Sequence, residues 1–172
     1  MSKILNNFFN WYNKHYTLNV SIALGLFLLQ LIHLYWLGTH VIALKVFGVS
    51  FFTPSELYEQ IIILVDYTEI PALITTGLIY INELRQKRNF KSALFIVLLL
   101  SQFLHIFWIT DEFVLESFTG AVKDTVLPGW LAWLAILIDY LELPVIWDTI
   151  LKLKEALKKG DIKQVKEALE EK

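Results

Sequence analysis

The chain has 172 residues, 56% hydrophobic and 15% aromatic, with a net charge of -2 and a mean hydropathy of +0.53. A water-soluble domain of this length is seldom so apolar, which excludes an ordinary soluble enzyme and points to the membrane. The charge singles out no partner, nucleic acid is not expected as one, and the absence of cysteine removes disulfides and thiol chemistry.

Residues 1–17 are polar and aromatic, and the apolar run after them is longer than the roughly 7–15 residues of a signal-peptide core. Four apolar runs follow, at Leu18–Leu44, Leu57–Tyr80, Phe90–Ile109 and Leu127–Leu151. Each approaches the roughly 20 residues that cross a hydrocarbon core, so the predicted fold is all-α, with four transmembrane helices. Thr53-Pro54-Ser55-Glu56 predicts the start of the second helix, with Thr53 as cap and Pro54 at the first helical position. Pro128 opens the fourth helix in the same way. Residues 45–56 and 110–127 read as the outer connections. The domain plan is a transmembrane unit over 1–153 and a charged tail over 154–172. Gly160-Asp161 is expected to break that tail into a helix end and a short amphipathic C-terminal helix.

Basic residues gather on one side. Lys3 and Lys14 precede the first run, Arg85, Lys87, Arg88 and Lys91 join the second to the third, and Lys152, Lys154, Lys158 and Lys159 follow the fourth. The other two connections hold only Lys45 and Lys123, with Asp111, Glu112, Glu116 and Asp124 in the last. The positive-inside rule then places both termini in the cytoplasm. The membrane is the cytoplasmic one in a prokaryote and the endoplasmic reticulum in a eukaryote.

The halves echo each other. Gln30-x-x-His33-x-x-Trp36 returns 72 positions on as Gln102-x-x-His105-x-x-Trp108. Asp66-Tyr67-Thr68-Glu69-Ile70-Pro71 returns 73 positions on as Asp139-Tyr140-Leu141-Glu142-Leu143-Pro144. Two parallel two-helix repeats, about 18–84 and 90–153, related by an axis near the membrane normal, would produce this pattern.

Asp66 with Glu69, and Asp139 with Glu142, are i,i+3 neighbours on one helix face, and His33 and His105 fall at similar depth. Each carboxylate at the centre of a membrane helix costs roughly 2.5–3.5 kcal/mol, and no Lys or Arg lies near the middle of an apolar run. Pro71 and Pro144 cannot donate to the carbonyls of Tyr67 and Tyr140, so a kink with a free acceptor is expected in each helix. Several readings fit this constellation. The acids could be protonated and bonded between helices. They could line a midplane cavity for a hydrophobic, cationic or sterol-like ligand, walled by Gln30, Gln102, Trp36, Trp108, Tyr67 and Tyr140. Two histidines and four carboxylates match the donor count of carboxylate-rich di-iron bundles, although those carry Glu-x-x-His within one helix and here histidine and acid lie on different helices. His33, Glu69, His105 and Glu142 are the alternative metal ligands. A proton or cation pathway uses the same parts, and a haem between His33 and His105 is conceivable. The ligand cavity is the preferred reading, with no cofactor and no tightly bound metal expected. Self-association, or a place as subunit of a membrane oxidoreductase complex, stays open.

Ile32-His33-Leu34, Glu69-Ile70-Pro71, Leu84-Arg85-Gln86, Ser101-Gln102 and Leu143-Pro144 with Asp148 resemble the emopamil-binding-protein (EXPERA) family over about Leu18–Leu153. The resemblance implies four helices with cytoplasmic ends and sterol or amine-ligand binding. If it extends to catalysis, it implies double-bond isomerisation with His33, Asp66, Glu69, His105, Asp139 and Glu142 as the catalytic groups. The glutamate that the family's isomerases carry four residues after the first-helix histidine is Leu37 here, so ligand binding carries over better than catalysis. A shorter stretch, Phe52-Thr53-Pro54-Ser55 and His105-Ile106-Phe107-Trp108 with Asp111-Glu112, resembles the C subunit of copper membrane monooxygenases. There a metal-ligand histidine follows Thr-Pro-Ser, and here that position is Glu56.

Overall fold

Polar side chains inside and large apolar ones outside mark this fold as built for lipid. Gln30, His33, Asp66, Glu69, Thr76, Gln102, His105 and Glu142 are all at most 1% exposed, whereas Ile32, Val97, Leu100, Phe103, Phe107 and Leu137 face outward. In water that arrangement would be unstable; in hydrocarbon the outer surface needs no partner. The computed structural model describes residues 3–119 and 128–170, with side chains for all of these but 116, 117 and 161–170. Lys123 and Asp124 of the last outer connection lie outside the described residues.

Five helices account for the described chain. Helix α1 (Lys3–Lys14) precedes four that are long and apolar enough to span a membrane: α2 (Tyr16–Phe47), α3 (Glu56–Gln86), α4 (Phe90–Val114) and α5 (Gly129–Gly160). The protein is thus all-α, with four candidate spans, as the sequence predicts. Helix α2 packs on α3 and α5, and α4 packs on the same two. The spans therefore form a ring in which α2 faces α4 across the centre.

Helix α1 was not expected from the sequence. It is amphipathic: Phe9 and Tyr12 are buried, while Ile4 and Trp11 are exposed. The Arg85 guanidinium lies 3.7 Å from the Phe9 ring centroid and Asn82 donates to Asn13 at 2.6 Å, which ties α1 to the end of α3.

Several boundaries differ from the sequence-based ones. Helix α3 starts at Glu56, with Ser55 and not Thr53 in the capping position, and no side chain caps it. Helix α2 runs through Ala43–Phe47 to end at Gly48, whose φ of 70° supplies the left-handed turn that favours glycine. Residues Thr110–Val114 and Leu115–Thr119 continue the α4 helix where a connection was expected. Helical backbone also passes Gly160-Asp161 without a break, from Leu143 to Glu170. A single glycine costs a helix only about 1 kcal/mol, too little to stop one.

The interior of each span is irregular at matching places. α3 divides into Glu56–Asp66 and Glu69–Gln86, and α5 into Gly129–Tyr140 and the segment from Leu143. π-helical turns widen α2 at Leu37–Ile42 and α4 at Thr110–Val114, just past His33 and His105. One close approach depends on glycine: a Cβ at Gly38 would stand 2.9 Å from the Tyr140 hydroxyl, which bonds to the Leu34 carbonyl at 3.1 Å. Gly38→Ala should therefore displace that hydroxyl and lower stability by about 1 kcal/mol. The loss should vanish in a Tyr140→Phe background, measured as a double-mutant cycle on thermal unfolding in detergent.

Candidate functional site

The helix breaks and π turns surround one cluster. Asp66 ends the first segment of α3 and Glu69 begins the second; in α5 Asp139 lies one residue before the end of the first segment and Glu142 in the break itself. At the α3 break the backbone tightens into i→i+3 bonds, with Tyr67 donating to Leu64 at 3.1 Å and Thr68 to Val65 at 2.9 Å. At the α5 break Leu141 donates to Ile138 at 2.8 Å and Glu142 to Asp139 at 3.1 Å. The carbonyl of Tyr67 is not the free acceptor that Pro71 suggests, since Ile70 donates to it at 3.3 Å. The acceptors used from outside are Val65, reached by the Gln30 amide at 3.2 Å, and Ile138, reached by the Gln102 amide at 3.1 Å. Each glutamine thus clamps the break of the neighbouring helix one residue before its aspartate.

Four groups meet at the centre. The His33 Nε2 lies 3.6 Å from one oxygen of Asp66 and 3.9 Å from one oxygen of Asp139. The His105 Nε2 lies 3.6 Å from the other oxygen of Asp66 and 3.7 Å from the other oxygen of Asp139. The histidine rings stand edge to face, 5.5 Å between centroids. Donor atoms of His33, His105 and Asp139, and again of Asp66, Glu69 and Asp139, come within 4.8 Å of one another. Glu142 is wholly buried, three residues after Asp139 on the same helix, but belongs to neither of these groups. Five of the six predicted residues thus fall within them, and none of the six is more than 2% exposed.

These distances are too long for hydrogen bonds. Among the described residues neither oxygen of Asp66, Glu69 or Glu142 has a hydrogen-bond partner, nor does Nε2 of either histidine. His105 is oriented from behind, its Nδ1 standing 3.1 Å from the Ala135 carbonyl. A carbonyl can only accept, so Nδ1 carries a proton; Nε2 faces two carboxylates, as a lone pair when the ring is neutral and as a second N–H when it is charged. Lone pairs facing lone pairs in a dry interior repel unless a cation or protons lie between them.

The predicted ligand-wall residues form a layer around this cluster. Trp36 packs on His33 and Trp108 on His105, at 5.5 and 5.3 Å between centroids, and Phe113 meets both tryptophans edge to face. Tyr67 shares a 2.6 Å hydrogen bond with Thr110, while Tyr140 reaches the Leu34 backbone across Gly38. Thr110 was missed in the sequence. It holds the position 72 beyond Gly38, so aligning the halves would have paired the two. Trp133 is 43% exposed and faces outward. His40, seven residues after His33 and within the π-helical stretch, lies outside the cluster against Ser50 at 2.9 Å and Glu59 at 3.7 Å. At the opposite end, Lys152 links Glu83 and Asp148, and Asp148 also binds Lys91 and, at 2.9 Å, the Tyr80 hydroxyl.

Among the described residues, four surface cavities are lined without any of the six central residues. The most apolar, about 270 Å³, is a groove between α3 and α4 lined by Leu73, Gly77, Leu99 and Phe103 among others. No family model, curated protein or solved structure matches the chain.

Because each glutamine clamp holds the helix break that carries an aspartate, Gln102→Leu should lower stability by about 1 kcal/mol. Gln30→Leu should cost more, since Gln30 also donates to Thr68 at 3.0 Å. Thermal unfolding of the two variants in the same detergent checks the order.

Proposed function

We propose that this integral membrane protein holds a metal centre between its spans, with His33, His105, Asp66, Asp139, Glu69 and Glu142 as the donors. One observation carries the reading: five buried metal-ligating side chains converge with Glu142 buried beside them, and Nε2 of both histidines and the carboxylate oxygens of Asp66, Glu69 and Glu142 have no hydrogen-bond partner among the described residues. Four ionised acids alone in a membrane interior would cost about 10 kcal/mol or more. A bound divalent cation turns that cost into coordination. Two donors that each sit about 2.0–2.2 Å from one ion are about 3–4 Å apart, which agrees with the 3.6–3.9 Å separations between histidine and aspartate. The Ala135 carbonyl behind His105 is the usual outer support of a metal-bound imidazole. Imidazole with carboxylate suits zinc, iron or manganese better than a soft ion such as Cu(I).

This reading replaces the organic ligand as the occupant of the midplane. Donor atoms within 4.8 Å of one another leave room for an ion and not for a sterol. A sterol-like or lipid ligand is supported elsewhere, by the apolar groove between α3 and α4. That groove offers no acid or histidine, so a bound double bond would meet no proton donor for the isomerisation that the EXPERA resemblance implies. The matching motifs, helix breaks and π turns of the two halves support an internal repeat in which each half contributes one histidine, one aspartate and one glutamate. The basic residues gathered at the end carrying α1 and the α3–α4 link support cytoplasmic termini.

Metal analysis of the protein purified in mild detergent should find tightly held zinc, iron or manganese. Asp66→Asn and Asp139→Asn should lose it and unfold at lower temperature, because a ligand present at 100 times its Kd stabilises by about 2.7 kcal/mol. Metal-free protein that takes up none of these ions, together with Asn variants more stable than the parent, would mean that the acids are simply protonated and would overturn the reading.

A further inference from the structure

We infer that the centre takes two divalent first-row cations, bridged by Asp66 and Asp139, with one histidine on each ion and Glu69 and Glu142 completing the set. This rests on reading the cluster as a metal centre and goes beyond it in ion number and in the role of each acid. The geometry divides the donors in two. One oxygen of Asp66 faces His33 and the other faces His105, each at 3.6 Å. Asp139 repeats the pattern, at 3.9 Å to His33 and 3.7 Å to His105. A carboxylate serving one ion would bring its oxygens to the same partner; here each spans the gap between two imidazoles. The histidines come from α2 and α4, which face each other across the ring, and both aspartates stand between them at the helix breaks.

Donor number and charge agree. Two imidazoles and four carboxylates offer more ligand atoms than the about four to six positions of a single zinc, iron or manganese ion. Two divalent cations balance four ionised carboxylates, with both histidines neutral, and leave the cluster uncharged. A single divalent cation would leave two negative charges in the membrane interior unless two of the acids took up protons. Among the described residues no lysine or arginine meets the cluster, and Lys152 and Lys91 are engaged with Glu83 and Asp148.

The probe is Mn(II), added without oxygen to chelator-stripped, full-length protein in detergent and read by metal content per chain and by electron paramagnetic resonance. Two Mn(II) per chain with the broadened spectrum of exchange-coupled ions is the expected result. Asp66→Asn, which removes an anionic bridging oxygen, should lose bound Mn(II) and with it the coupled spectrum. His33→Gln and His105→Gln should each halve the manganese content and restore the sharp hyperfine pattern of isolated Mn(II). One uncoupled Mn(II) per parent chain overturns the pair while leaving the metal centre standing. Failure to bind Mn(II), Fe(II), Co(II) or Zn(II) overturns the centre itself. Full coupled occupancy in both folded histidine variants overturns the assignment of one histidine to each ion, and with it the proposal.

Discussion

Charge without solvent is the constraint on which the rest of this structure turns. In water a carboxylate is solvated wherever the chain leaves it; between four apolar helices it must be neutralised, bonded or bound. This chain places four acids and two histidines at one depth and gives the carboxylates of Asp66, Glu69 and Glu142 no hydrogen-bond partner among the described residues. The surrounding architecture supports that cluster. It does not relieve it.

The support comes through the backbone. Pro71 and Pro144 each stand two residues after a glutamate, at breaks where tight turns replace regular helical bonds and expose a carbonyl to a glutamine from the next helix. The aspartates flank those same turns, so their position is set by interhelical hydrogen bonds more than by rotamer choice. On the other pair of helices Trp36 and Trp108 pack against the histidines three residues before them, and the π turns begin just beyond. A site built on helix segments held from both sides is more rigid than one on loops, as ligand geometry demands.

The halves match but are not identical, and the differences are local. His105 is held by the Ala135 carbonyl, while the Nδ1 of His33 has no partner among the described residues. Thr110 gives Tyr67 a hydroxyl to bond, whereas Gly38 leaves Tyr140 to reach the backbone. An ion bound near His105 would therefore meet a more firmly oriented imidazole than one bound near His33.

The number of spans, the inward face bearing Gln30, His33 and Trp36, the matching face of the second half, and the six central residues were all legible in the sequence. Hydropathy and helical spacing are local properties, and in lipid every backbone group must bond within its own helix, so local pattern decides the spans. Boundaries were less legible: the continuation through Gly160 and through residues 110–119 depends on helix propensity outrunning single breakers. How the acids meet the histidines was not legible. Spacing set Asp66 beside Glu69 on one helix, but only packing of four helices put each aspartate between two histidines. The sequence by itself determined which groups are buried; the tertiary structure decided how far apart they stand, because interhelical distance is set by every contact along the helices and by no single motif.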